Sequence, residues 1–110
     1  LISCYQEAAL LVCPYLYETH SNVVREALAC GTPVLSTGSH LVEGRSDGIV
    51  LVPNEPKKIG DALDRLLKDK NLREKLGREG RETVEKYCSW KNIISDLVRL
   101  YQEKLTVWQL

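Results

Sequence analysis

An α/β fold built on a parallel sheet is predicted by three short apolar runs, the segments of helical period between them, and the turn residues that bound each run. The runs are residues 10–13, 34–37 and 49–52. The first, opening at Leu10 and ending at Cys13, is wholly apolar and is stopped by Pro14, as expected of a strand buried on both faces. The second follows Thr32 and Pro33, and the third lies between Gly48 and Pro53. The strand–helix–strand order predicts a partial Rossmann-like sheet of about three strands flanked by helices.

Each helix has its own signal. Residues 1–8 read as the end of a helix, and residues 15–21 as a loop. Residues 22–30 place Val23, Val24, Ala27 and Leu28 on one face, with Gly31 as the stop. Residues 38–48 are polar and contain glycine, so they form a second loop. Asn54 and Pro56 open a helix in which Ile59, Ala62, Leu63, Leu66 and Leu67 repeat at helical spacing. Asn71 and Glu74 stand at the spacing of a capping box, starting a helix toward Tyr87. Ser89 caps the last helix, whose apolar stripe is Ile93, Ile94, Leu97, Val98 and Tyr101. These stripes are expected to form core, with Trp90 as an anchor. Residues 1–105 read as one unit and 106–110 as a tail beyond the periodic part.

Composition bounds the function. The 110 residues are 44% hydrophobic and 27% charged, which excludes a disordered or collagen-like chain. Fifteen basic residues balance fifteen acidic ones, so no net field draws the chain to nucleic acid, and any anion must be held locally. Cys4, Cys13, Cys30 and Cys88 form no C-x-x-C pair and have no histidine at zinc spacing. They are expected to be small apolar side chains in a reducing cytosol, with no metal and no cofactor held. No apolar stretch reaches the roughly 20 residues that span a bilayer, and Gln6 and Glu7 interrupt residues 1–11, unlike a signal peptide. A cytoplasmic location is expected. A chain beginning at Leu1 and lacking methionine reads as a fragment or a processed product.

The segment richest in chemistry is 18–34. A helix starting near Ser21 or Asn22, just past the carboxyl end of a parallel strand, turns unpaired N–H groups into the crevice where such sheets bind ligands. A phosphate is favoured there. Glu26 follows one turn later, about 6 Å along the axis, an offset that suits a ribose whose hydroxyls donate to the carboxylate. Glu18, in the loop, can meet the hydroxyls of an attached sugar. The plainer readings are a solvated helix acid for Glu26 and a cap of nearby N–H groups for Glu18.

Glu18 and Glu26 with seven residues between them, followed by Ala27-Leu28-Ala29-Cys30-Gly31-Thr32-Pro33-Val34, resemble the signature of retaining glycosyltransferases of the GT-B fold that use nucleoside-diphosphate sugars. Pro14, Glu43, Gly48 and Ser89-Trp90 fall where that family has similar residues. The resemblance implies half of a carboxyl-terminal, nucleotide-sugar-binding domain. It makes Glu18 the catalytic-site residue that contacts the donor sugar and Glu26 the ribose ligand. It places Thr19, His20, Ser21 and Asn22 beside phosphate and sugar, and Gly38 where the family has the first of two glycines. Many members carry a glycine-aromatic-glycine stretch in place of 19–22, and a solvated loop histidine is the plainer reading of His20.

The implied activity is transfer of a glycosyl group from a nucleoside-diphosphate sugar to an acceptor with retention, requiring no metal. The upstream strands with their basic residues and the amino-terminal acceptor domain have no counterpart here, so the isolated chain is expected to be inactive. A non-catalytic nucleotide-binding or regulatory module, or a piece of a nucleotide-sugar epimerase, are the alternative readings. The first strand, lacking its neighbour, leaves an open apolar edge, and a homo-oligomer through that edge is expected.

Overall fold

The computed structural model describes residues 1–16, 21–38 and 42–108. A short helix α1 (Ile2–Glu7) leads into strand β1 (Leu11–Cys13), helix α2 (Asn22–Ala29) and strand β2 (Val34–Ser36). Strand β3 (Ile49–Leu51) and helices α3 (Pro56–Lys68), α4 (Lys70–Tyr87) and α5 (Trp90–Trp108) follow. The sheet is parallel in the order β1-β2-β3, with Leu11 opposite Val34 and Val34 opposite Ile49. All three apolar runs thus become strands, each slightly shorter than its run. Single backbone bonds carry the ladder one residue further, from the Thr37 N–H to the Cys13 carbonyl and from the Val52 N–H to the Ser36 carbonyl.

Burial is greatest where α2 lies on the sheet. Val24, Ala27 and Leu28 of α2 pack with Cys13, Val34 and Ile49, and Tyr5 of α1 joins the same core. Gly31, at φ 77°, takes the left-handed conformation that ends α2 as expected. α4 reaches this core through small residues: Gly77, Gly80, Thr83 and Val84 are its buried positions. Side chains at Gly77 and Gly80 would hold the helix farther away.

Two boundaries differ from expectation. α4 opens at Lys70 with Asp69 as its cap, accepting from the Leu72 N–H at 2.9 Å, so Asn71 lies inside the helix. The Arg73 guanidinium, reaching back to the Leu66 and Leu67 carbonyls at 2.7 Å, ties the end of α3 to the start of α4 and fixes this tight junction. α5 continues through Thr106 to Trp108.

The larger correction concerns α5. None of its residues is buried, and the stripe of Ile93, Ile94, Leu97, Val98 and Tyr101 faces outward. Trp90 is 77% exposed and anchors no core. Helical period identifies which face is apolar, whereas burial requires another element to lie against it. The described residues supply none along most of α5, and the molecule is accordingly elongated, 61 × 26 × 22 Å. Cys4 is likewise exposed, while Cys13 is buried and Cys30 and Cys88 are half-buried.

Candidate functional site

The crevice is organised by the start of α2. Ser21 sits in extended backbone, and its side-chain oxygen accepts from the Val24 N–H at 3.3 Å. That bond satisfies one of the unpaired donors of the first turn and leaves the N–H groups of Asn22 and Val23 without intrahelical acceptors. On the next turn, Glu26 is solvent-facing, while Val24, Ala27 and Leu28 turn into the core. Amphipathicity therefore does the positioning: burying one face of α2 presents Asn22 and Glu26 on the other.

Glu26 has a partner that no local pattern in the sequence announces. The Tyr5 hydroxyl donates to Glu26 Oε2 at 2.9 Å across 21 positions of chain. Burial raises the Tyr5 pKa above its usual value of 10, and the hydrogen bond and negative charge of Glu26 raise it further, so the phenol remains a donor through the neutral range. Only the packing of α1 beside α2 brings the two together.

Asn22, Arg25 and Glu26 line one side of a cleft of about 600 Å³, and Glu43, Tyr87 and Trp90 line the other. Glu43 and Gly44 form a tight turn with φ of 51° and 75°, closed by reciprocal backbone bonds of 2.9 Å between Val42 and Arg45. Left-handed backbone is uncommon for glutamate, and this turn sets Glu43 in the lining of the cleft that Asn22 and Arg25 also line. Its position in the resemblance was the available signal for Glu43, although the expected site did not include it. Beside the same turn, Asp47 accepts from Arg45 Nε and, at 2.9 Å, from the Thr83 hydroxyl. These bonds hold the Asp47 carboxyl below its ordinary pKa.

The sequence-predicted site is therefore divided. Asn22 and Glu26 share the cleft, and Ser21 shapes it as the cap. Gly38 lies past the end of β2, half-buried, with its N–H donating to Ser36 Oγ at 3.2 Å. Glu18, Thr19 and His20 lie outside the described residues. Among the described residues, no group of three histidine, cysteine or acidic side chains could hold a metal ion. No described helix is long and apolar enough to cross a membrane.

A parallel sheet with a capped helix start and a carboxylate one turn beyond it defines a Rossmann-like α/β half-domain of the GT-B type. The profile of the family described as glycosyl transferases group 1 matches residues 1–83, and the chain belongs to that family. It is 33% identical over 102 residues to an uncharacterised glycosyltransferase of Methanocaldococcus jannaschii, covering 89% of this chain and 26% of the relative. It is 32% identical over 107 residues to the D-inositol 3-phosphate glycosyltransferase of Corynebacterium jeikeium, covering 94% of this chain and 25% of the relative. In structure it resembles sucrose-phosphate synthase from Thermosynechococcus elongatus with a TM-score of 0.82 and 29% identity, over 94% of this chain and 27% of that one. The chain thus spans about a quarter of the length of these proteins.

Proposed function

We propose that the chain is the donor-binding part of a retaining glycosyltransferase that takes its sugar from a nucleoside diphosphate. The observation that carries this reading is the pairing of a Ser21-capped helix start with a solvent-facing Glu26 one turn along, in a member of the glycosyl transferases group 1 family. A diphosphate at the start of α2 would meet N–H donors and the positive end of the helix dipole. The Glu26 carboxylate would then accept from the ribose hydroxyls. Glu18, with Thr19 and His20, would face the sugar, and Gly38 would flank it.

The reading includes an acceptor-binding domain supplied by other residues, because transfer requires two substrates held in one geometry. Alone, the chain would bind donor without turning it over. It also includes self-association through the open edge of β1 or by exchange of terminal helices, and a cytoplasmic setting. The names of the relatives favour a transferase over the epimerase alternative.

Titration with a nucleoside diphosphate and with its sugar conjugate tests the assignment. Glu26→Ala should weaken both ligands by about 1.5–3 kcal/mol, the usual worth of hydrogen bonds to a charged group. Glu18→Ala should weaken only the sugar-bearing one. Equal losses on the bare nucleotide would contradict the two roles, and multiple turnovers by the purified chain would contradict the divided site.

A further inference from the structure

We infer that Tyr5 is a positioning residue for Glu26, fixing its carboxylate in the orientation that receives the ribose hydroxyls of a nucleotide; this rests on the ribose-binding reading of Glu26. A carboxylate on a solvent-facing turn of helix ordinarily samples several rotamers, and a ligand that needs one of them must restrict the rest. Here the restriction is built in. The Tyr5 hydroxyl, 2.9 Å from Glu26 Oε2, belongs to a side chain only 9% exposed and packed in the core. Its backbone is tied as well, since the Tyr5 carbonyl accepts from the buried Thr32 Oγ1 at 2.5 Å. Tyr5 is thus held at both ends and can impose its geometry on Glu26.

The chemistry of the partner fits the role. A phenol is neutral, so it orients the carboxylate without cancelling the charge that attracts ribose hydroxyls, as an arginine or lysine would do. No ion pair among the described residues involves Glu26. An ionised carboxylate has about four acceptor sites, of which Tyr5 uses one, leaving enough for two vicinal hydroxyls. Desolvation and the neighbouring carboxylate raise the Tyr5 pKa, keeping the phenol protonated through the neutral range. Space is available too: Ile2, Tyr5, Gln6 and Glu26 border a cleft of about 490 Å³ that Arg81 of α4 also lines.

The test uses the full chain with uridine, guanosine and adenosine diphosphates and their 2′,3′-dideoxy counterparts. Tyr5→Phe, which keeps the ring in the core, should weaken the preferred ribonucleotide about three- to tenfold while leaving its dideoxy counterpart unchanged. Added to Glu26→Ala, it should have no further effect. A purely structural role would lower both affinities alike, and that result, like no loss at all, would overturn the inference. If Glu26→Ala abolishes the preference for ribose while Tyr5→Phe retains it in full, the inference fails and the ribose reading stands. If Glu26→Ala leaves the preference intact, or the chain binds none of the six nucleotides, both fail.

Discussion

Gly48 and Gly80 meet backbone to backbone: a Cβ added to Gly48 would stand 2.7 Å from the Gly80 Cα, and one added to Gly80 would stand 3.2 Å from the Gly48 Cα. One turn earlier on α4, a Cβ on Gly77 would lie 2.1 Å from the Gly31 carbonyl oxygen. α4 can therefore press against the end of α2 and the entry to β3 only because these positions carry no side chain. Gly77→Ala and Gly80→Ala should each destabilise the chain by about 1–3 kcal/mol, the range for overpacking. The gain in helix propensity, about 1 kcal/mol at most, is too small to compensate. Gly77 should be the costlier site, because the nearest atom to its Cβ would be backbone at 2.1 Å, whereas the nearest to one on Gly80 is the movable end of the Leu28 side chain at 2.6 Å. Urea unfolding of the two variants gives the comparison.

Gly60 supplies the contrast. It lies inside α3, and a Cβ there would meet nothing within 4 Å. Gly60→Ala should stabilise by about 0.5–1 kcal/mol through helix propensity and a less flexible unfolded chain. The same urea experiment reads this opposite sign, and a loss of stability would contradict the geometry of α3.

Acid should weaken the junction between the turn before β3 and α4. Asp47 has a lowered pKa because Arg45 and then Thr83 hydrogen-bond to its carboxylate. The unfolded chain consequently takes up this proton at a higher pH than the folded one. The contribution of Asp47 is fully present above its ordinary value of 3.8 and is lost as pH falls through the lower folded value. Stability measured from pH 5 downward should fall less steeply in Asp47→Asn than in the parent chain. Parallel acid limbs would show that the folded carboxyl has no special pKa.

Among the described residues two surfaces are open to self-association, and their sizes rank them. β1 offers three residues along an edge, with Val12 exposed. α5 offers an apolar face about 28 Å long that includes Ile94, Leu97, Val98, Tyr101 and Leu105. Exposed patches of this size are unusual on an isolated domain. Sedimentation over a concentration series should show association that weakens at least tenfold in Ile94→Glu/Val98→Glu and changes less in Val12→Lys. The reverse order would assign the contact to the sheet edge, and a monomer at every concentration would exclude both.

Much of the fold was legible because its signals are local. Apolar runs bounded by Pro14, Gly48 and Pro53 became strands, and Ser21 and Gly31 marked the ends of α2 through backbone chemistry that needs no distant partner. The start of α4 was less determinate, since Asp69 and Asn71 are both good caps and the bonds from Arg73 to α3 accompany the earlier start. Glycines 77 and 80 were harder to interpret still, because a glycine within a helix looks like a weakness until its neighbour is known.

By itself the sequence determined the order of elements, their parallel pairing, and the placement of Asn22 and Glu26 one turn apart on a helix, all consequences of periodicity and short-range capping. Tertiary structure alone decided that Tyr5 would hold Glu26, that α4 would approach through glycine, and that the stripe of α5 would remain uncovered among the described residues. The physical reason is the range of the interactions. Hydrogen bonds within a turn and the period of apolar residues are written along the chain, whereas a contact across 21 positions, or the absence of a surface to bury against, exists only once the elements have packed.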